Sequence, residues 1–392
     1  MSNEPTAATE LDGYVADLIA RGIRRILVLA WRDLDDRDAG GSEVHADEFM
    51  QRWADRGLDV LHRTSAAAGL PATDTRHGYR VVRRGSRYSV FPRTIAAELT
   101  GRMGPYDALV EIWNGVPWFS PVWCRRPHVT MLHHVHGPMW EQVLPGPLAP
   151  AGRLLEARLA PPFYRRGLTV TPSEATREEL IELGFRPDRV RAFPNGVDPV
   201  FRPGSDKTAH PSIVAVGRLA PVKRFDRVID AAIAARRRLP TLELDIVGGG
   251  PLHDALQAQI DAAGAHDWIT LEGRKTHAEL IALYQRSWLV VSGSIAEGWG
   301  LSLTEGAACG TPCVATDIRG HRSSVRDGSS GVLVPPERLG DTIADVLTDP
   351  VRLRSLRDGA LTWAASLTWD GSALGITSAL HDEVVAAQRR RG

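Results

Sequence analysis

Short apolar runs recur along this chain between longer segments in which apolar residues return every three or four positions, so the pattern predicts strands and helices in alternation. The first run is Ile26-Leu27-Val28-Leu29-Ala30, followed by a loop ending in Gly40-Gly41, a helix from about Ser42 to Arg56 that stops at Gly57, and a second strand from Leu58 to His62. Further strands are expected at Ala108 to Ile112, Val129 to Leu132 and Leu168 to Thr171. A turn cluster, Phe193-Pro194-Asn195-Gly196-Val197-Asp198, and a polar stretch from Pro203 to Pro211 interrupt the series. It resumes with Ile213 to Val216, a helix near Phe225 to Arg238, Leu242 to Val247, a Gly248-Gly249-Gly250-Pro251 turn, Trp288 to Val291 and Gly331 to Val334. Alternation of this kind implies an α/β fold with parallel sheets, here two Rossmann-like domains joined near residue 195. Ligands of such sheets lie at the carboxyl ends of the strands, so the site is expected in a cleft between the domains.

At 392 residues, 43% hydrophobic and 24% charged, the chain can fill two sizeable cores. Lys+Arg and Asp+Glu are equal at 47 each, so no global field favours nucleic acid, and any anion site must be local. The three cysteines, Cys124, Cys309 and Cys313, lack a zinc spacing and read as packing residues. Met1 to Glu10 carries neither a basic start nor an apolar run, and no segment has the length of a bilayer span. A cytoplasmic protein is the expectation.

Two glutamates, Glu297 and Glu305, frame a glycine turn and a probable helix start. Backbone N–H groups and the helix dipole there suit phosphate, and paired carboxylates suit sugar and ribose hydroxyls. Ser302-Leu303-Thr304-Glu305 equally fits a capping box, in which Glu305 returns to the Ser302 amide. Arg218 and Lys223 follow the strand ending at Val216 and are placed to neutralise a diphosphate, the alternative being a solvated pair.

These segments carry a family resemblance. Gly217 to Lys223, Asp245 to Pro251, the E-x7-E stretch, Gly310 to Thr316 and Asp327 to Pro335 resemble the retaining glycosyltransferases of family 4, which have the GT-B fold. Asp33 to Glu43, Asn114 to Pro117, Thr171 to Glu174 and Asn195 to Asp198 resemble that family's amino-terminal counterparts. The resemblance implies an acceptor-side domain over 1–194, a nucleotide-sugar domain over 195–370 and a helix at 371–392 packing back on the first domain. It implies retaining, metal-independent transfer of a hexose from a nucleoside-diphosphate sugar, without a cofactor, to an acceptor hydroxyl on a saccharide, a lipid-linked or a small molecule. On this likeness Arg218, Lys223 and Gly41 hold the diphosphate, and Glu297 holds the donor sugar. Glu305 holds the ribose, while Gly298, Trp299, Gly300 and Leu301 offer amides. Gly248, Arg274 and Lys275 line the base pocket, and His133 stands near the anomeric centre. Trp299 replaces a frequent phenylalanine, and Gly293-Ser294 stands where the family often has proline before serine, which bears on sugar preference.

Two metal readings compete. His133 falls on the strand face opposite His134 and His136, which argues against a shared ion. The acidic loop Asp33-Leu34-Asp35-Asp36-Arg37-Asp38 holds D-x-D spacings, but Arg218 and Lys223 already supply positive charge. Trp113, Trp118, Trp123 and Trp140, with Arg83, Arg84, Arg87 and Arg93, suggest either core or a basic-aromatic surface at the inner face of a membrane. A nucleotide-sugar 2-epimerase and a non-catalytic nucleotide-sugar-binding protein are the rival functions; conversion of donor without acceptor marks the first, absence of turnover the second.

Overall fold

A computed structural model of the chain describes residues 6–390, apart from 38, 145, 147, 205 and 206; of the acidic loop, Asp38 therefore lies outside the described residues. The chain divides into two units, Met1–Gly196 with Trp369–Gly392, and Val197–Thr368.

The first unit is built on an eight-stranded sheet: β1 (Arg25–Leu29), β2 (Asp59–Thr64), β3 (Thr73–Arg76), β4 (Tyr79–Arg83), β5 (Ala108–Trp113), β6 (His128–Leu132), β7 (Leu168–Thr171) and β8 (Val190–Ala192). Their order is β3-β4-β2-β1-β5-β6-β7-β8, and β3 alone runs antiparallel, to β4. Ile26 to Leu29 and Ala108 to Val110 are buried throughout, because helices cover both faces of a parallel sheet and leave no solvent side for polar alternation. The helix Gly41–Asp55 packs through Ala46, Phe49, Met50 and Trp53, a stripe at helical spacing.

The last helix, Trp369–Arg389, is part of this unit's core. Ala373, Ile376, Ala379, Leu380 and Val384 face inward, and burial of Ile376 and Leu380 stabilises by roughly 1.5–3 kcal/mol each. Its polar positions are matched as well: Trp53 Nε1 donates to Thr377 Oγ1 at 2.7 Å and the Leu168 amide donates to Glu383 at 3.1 Å. The Gly196 Cα lies so close to Trp369 that a Cβ there would meet its backbone and indole, so Trp369 belongs with residues up to Gly196.

The second unit has six parallel strands, β9 (Ser212–Val216), β10 (Glu243–Val247), β11 (Ile269–Gly273), β12 (Leu289–Ser292), β13 (Cys313–Thr316) and β14 (Gly331–Val334). They are ordered β11-β10-β9-β12-β13-β14. Numbered within the unit this is 3-2-1-4-5-6, the doubly wound order in which connections leave β9 and β12 toward opposite faces. A crevice therefore opens beyond the carboxyl ends of β9 and β12. The helices Phe225–Arg236 and Leu339–Thr348 pack on one face through Val228, Ile229, Ala232, Ile343 and Leu347.

Candidate active site

Four loops at the carboxyl edge of the second sheet are tied together by their backbones. The Gly217 amide donates to Val247 O (2.9 Å), the Leu219 amide to Gly249 O (3.0 Å), the Gly248 amide to Gly273 O (2.8 Å) and the Ile295 amide to Val222 O (3.0 Å). Gly248 is required here. Its φ of 145° and the nearness of the Gly217 carbonyl leave no room for a Cβ.

Across the crevice, Lys223 from the β9 loop donates to Glu297 Oε1 from the β12 loop at 2.5 Å. Ser294 Oγ donates to the same oxygen at 2.9 Å, so Glu297 Oε2 accepts from no group among the described residues. Burial pushes the Glu297 carboxyl up, but the Lys223 ammonium outweighs it, and it titrates below its ordinary value. His321 is buried, and its Nδ1–H donates to Thr316 O at 2.7 Å. Burial outweighs the attraction of Glu297 and lowers its pKa, so the imidazole is neutral.

The helix Leu301–Ala308 begins at Gly300, whose φ of 107° turns the chain sharply into its first residue. No capping box forms between Ser302 and Glu305, because Ser302 is already inside the helix. Glu305 Oε2 instead accepts from Tyr284 OH at 2.9 Å, leaving Oε1 without a partner among the described residues. Burial pushes the Glu305 carboxyl up to about 7; the Tyr284 hydroxyl offsets part of this and the charge of Asp198 adds to it. The amides of Gly298, Trp299, Gly300 and Leu301 donate to no group among the described residues. Unbonded N–H groups at a helix start are suited to an anion. The Trp299 indole is turned into the core beside Leu303 and Val290, so this residue offers its backbone to a ligand.

Arg218 is exposed, and its guanidinium has no hydrogen bond or ion pair among the described residues. Arg274 lies over Gly249, where a Cβ would come within 3.2 Å of its Nε. Lys275 is bonded to Glu272 at 2.6 Å, which raises its pKa.

In the first unit Gly41 opens the helix Gly41–Asp55, and Glu43 Oε2 accepts from the preceding Gly40 amide at 2.8 Å. His133 follows β6 and is buried; its ring stands 5.2 Å from that of His45, edge to face, and neither of its nitrogens is bonded among the described residues. Burial and then His134 lower it to about 3, so it is uncharged. His134 stacks on His136 at 4.5 Å. Glu156 fixes the loop beyond, accepting from the His136 amide (2.8 Å), the Gly137 amide (2.9 Å) and Trp140 Nε1 (3.0 Å).

The acidic loop is neutralised by protein cations: Arg83 donates to Asp33 at 2.5 Å and to Asp35 at 3.1 Å, and Arg76 pairs with Asp35. Among the described residues no three His, Cys, Asp or Glu side chains gather as ligands for an ion. Of the residues that suited either a core or a surface, Trp123 is half-buried and Arg84, Arg87 and Arg93 are exposed. Trp113, Trp118 and Trp140 are buried, as is Arg83, because the indoles fill the space between the sheet and its covering loops. Sequence reading also missed Tyr284, His321 and Glu156, which reach their partners only through tertiary packing.

Models of two families match the chain, Glycosyltransferase Family 4 over residues 39–201 and Glycosyl transferases group 1 over residues 200–363. It is 31% identical to D-inositol 3-phosphate glycosyltransferase 1 of Catenulispora acidiphila, covering 85% of this chain and 88% of that one. The corresponding enzyme of Segniliparus rotundus is 32% identical over 95% and 93%. Among solved structures, sucrose-phosphate synthase from Thermosynechococcus elongatus superimposes with a TM-score of 0.76, at 19% identity, over 93% of this chain and 100% of that one. HepE from Anabaena, in complex with UDP-glucose, gives 0.67 at 18% identity over 93% and 99%. The chain belongs to the family-4 glycosyltransferases of GT-B fold.

Proposed function

We propose that this glycosyltransferase takes a hexose from a nucleoside-diphosphate sugar, holds that donor on its second unit, and transfers the sugar with retention and without a metal ion. The observation that carries the reading is the crevice between β9 and β12, where each of two carboxylates has one oxygen engaged by the protein and one open. An ionised carboxylate only accepts, so the open oxygens call for hydroxyl donors, as in a sugar and a ribose. Lys223 has three N–H donors and can keep Glu297 while reaching a phosphate. Arg218 and the amides of Gly298 to Leu301 complete a cationic and dipolar cradle for a leaving diphosphate.

Departure of the diphosphate breaks the anomeric C–O bond, and the acceptor hydroxyl forms the new bond on the same face while its proton passes to the departing phosphate oxygen. No protein carboxylate serves as nucleophile; Lys223 holds Glu297 through its Oε1. His133, neutral and unbonded, is suited to orienting a hydroxyl by hydrogen bonding.

The UDP-glucose complex of HepE and the relatives named for D-inositol 3-phosphate direct the first trials to UDP-hexoses and polyol phosphates. Product configuration is read by NMR, with and without a chelator. An α-linked product from an α-linked donor, formed at the same rate in EDTA, supports the reading. An inverted product, rescue of EDTA-treated enzyme by manganese, or isomerised donor in the absence of acceptor overturns it.

A further inference from the structure

A second charged cavity lies in the first unit, at the other edge of its sheet. Its walls include His128, the first residue of β6, and Gly167, which immediately precedes β7, so it opens at the amino ends of these strands. His133 emerges at the carboxyl end of β6, roughly 16 Å away by strand length. The cavity encloses about 550 Å³.

Its charge is unbalanced. Arg165, Arg166 and Arg390 line it, and none of their guanidinium groups has a partner among the described residues. Among the described residues the one carboxylate in the wall is Glu383, which is already paired with Arg189 and accepts from the Leu168 amide. Three unopposed guanidinium groups at one opening favour a phosphate, which each can bind through paired N–H donors.

The rim is apolar. Phe163 and Pro121 line the cavity, and Phe163 is 50% exposed; beside it stand Val122 at 61% and Leu159 at 51%. The short helix Pro161–Tyr164, which carries Phe163, packs against both the helix Ser120–Trp123, which carries Val122, and the turn Leu155–Leu159, with the Phe119 and Phe163 rings 5.7 Å apart. Among the described residues, half of the exposed large apolar side chains fall between Val122 and Phe163. Exposed apolar groups around a cationic pocket match a surface whose phosphates lie at the boundary of a hydrocarbon layer. A free phosphate or a nucleic acid would leave Phe163, Val122 and Leu159 in water.

We propose that this edge of the first unit docks on anionic phospholipid, with headgroup phosphate among Arg165, Arg166 and Arg390 and with Phe163, Val122 and Leu159 entering the interface.

The test titrates the full-length protein with phosphatidylcholine vesicles, with and without phosphatidylglycerol, and separately with inorganic phosphate and glycerol 1-phosphate. Binding is expected only with phosphatidylglycerol present, and it should weaken with salt. Arg165→Gln with Arg166→Gln should lower vesicle affinity about thirtyfold, and Arg390→Gln alone about fivefold. Leu159→Ser with Phe163→Ser should weaken binding while leaving its salt dependence in place, and turnover of a soluble acceptor should be unchanged in all these variants. Equal binding to neutral vesicles, full affinity in the arginine variants, or saturable binding of inorganic phosphate without vesicle binding would each overturn the proposal.

Discussion

The two sheets share a doubly wound strand order, yet their carboxyl edges handle charge in opposite ways. On the first unit the charges are closed: Asp33 is held by a fully buried Arg83, Asp35 by Arg76, Glu156 by three N–H donors, and His133 is neutral. On the second unit they are left half open, with one oxygen each of Glu297 and Glu305, the guanidinium of Arg218 and the amides of Gly298 to Leu301 all available. Closed charges stabilise a loop; half-open ones hold a ligand that completes them. The difference predicts that substitutions at the paired charges of the first edge act on stability and those at the half-open charges of the second on turnover.

The strongest way to break that contrast is Arg83→Met. Arg83 is 1% exposed, so the change leaves Asp33 buried and charged, and removing one partner of such a pair costs about 3–5 kcal/mol. Arg76 stays 3.9 Å from Asp33, which holds the loss to the lower part of that range. The melting temperature should fall, while UDP affinity measured well below it should be unchanged. An unaltered melting temperature would show that the Asp33 loop is not closed by Arg83.

Arg218→Ala is the converse. An exposed side chain without partners among the described residues contributes little to stability, but a fixed cation facing developing phosphate charge is worth about 2–4 kcal/mol in the transition state, roughly one to three decades of kcat/KM. Calorimetry should show no shift while turnover collapses. Near-native turnover would remove Arg218 from the site.

Glu305→Gln tests both properties at once. The carboxyl's ordinary value is 4.5 and its folded value about 7, so between them the folded state keeps a proton the unfolded chain has released. Stability is therefore lost as pH rises through that window, by about 3 kcal/mol in all. Glutamine has no proton to lose. The variant should be more stable than the parent at pH 8, equal to it at pH 4, and weaker in donor binding at pH 8. A variant destabilised at pH 8 would mean that Glu305 serves the fold rather than a ligand.

How legible these edges were in the sequence follows from the distance over which each contact acts. Ile26 to Leu29 reads directly as a strand because a buried parallel strand is apolar at every position, and Leu168 to Thr171 and Gly331 to Val334 do so through β-branched or apolar runs. The edge strand Thr73–Arg76 is polar at every position and gave no signal; pairing with Tyr79–Arg83 creates it. Lys223 and Glu297 were visible as charges after strands, but their meeting depends on β9 and β12 being neighbours across a separation of 74 residues. Trp113 and Trp118 were ambiguous for the opposite reason: indole suits a core and a surface equally, and only burial decides.

Tyr284→Phe is the finest probe of the half-open arrangement, since it removes one oxygen and leaves the ring packed against Phe201, 6.0 Å away. Among the described residues, the Tyr284 hydroxyl is the one side-chain hydrogen-bond donor that favours the charged form of Glu305. Without it, burial acts unopposed and the carboxyl should rise above 7, shifting the pH at which donor affinity increases upward by about one unit, as the loss of a hydrogen bond to a charged group worth about 1.5 kcal/mol requires. The maximal turnover at high pH should stay close to that of the parent, because the open oxygen still accepts from the ribose. The KM of the donor as a function of pH measures the shift directly. If the profile does not move, Tyr284 does not tune Glu305, and the half-open geometry is set by the backbone of the helix Leu301–Ala308 alone.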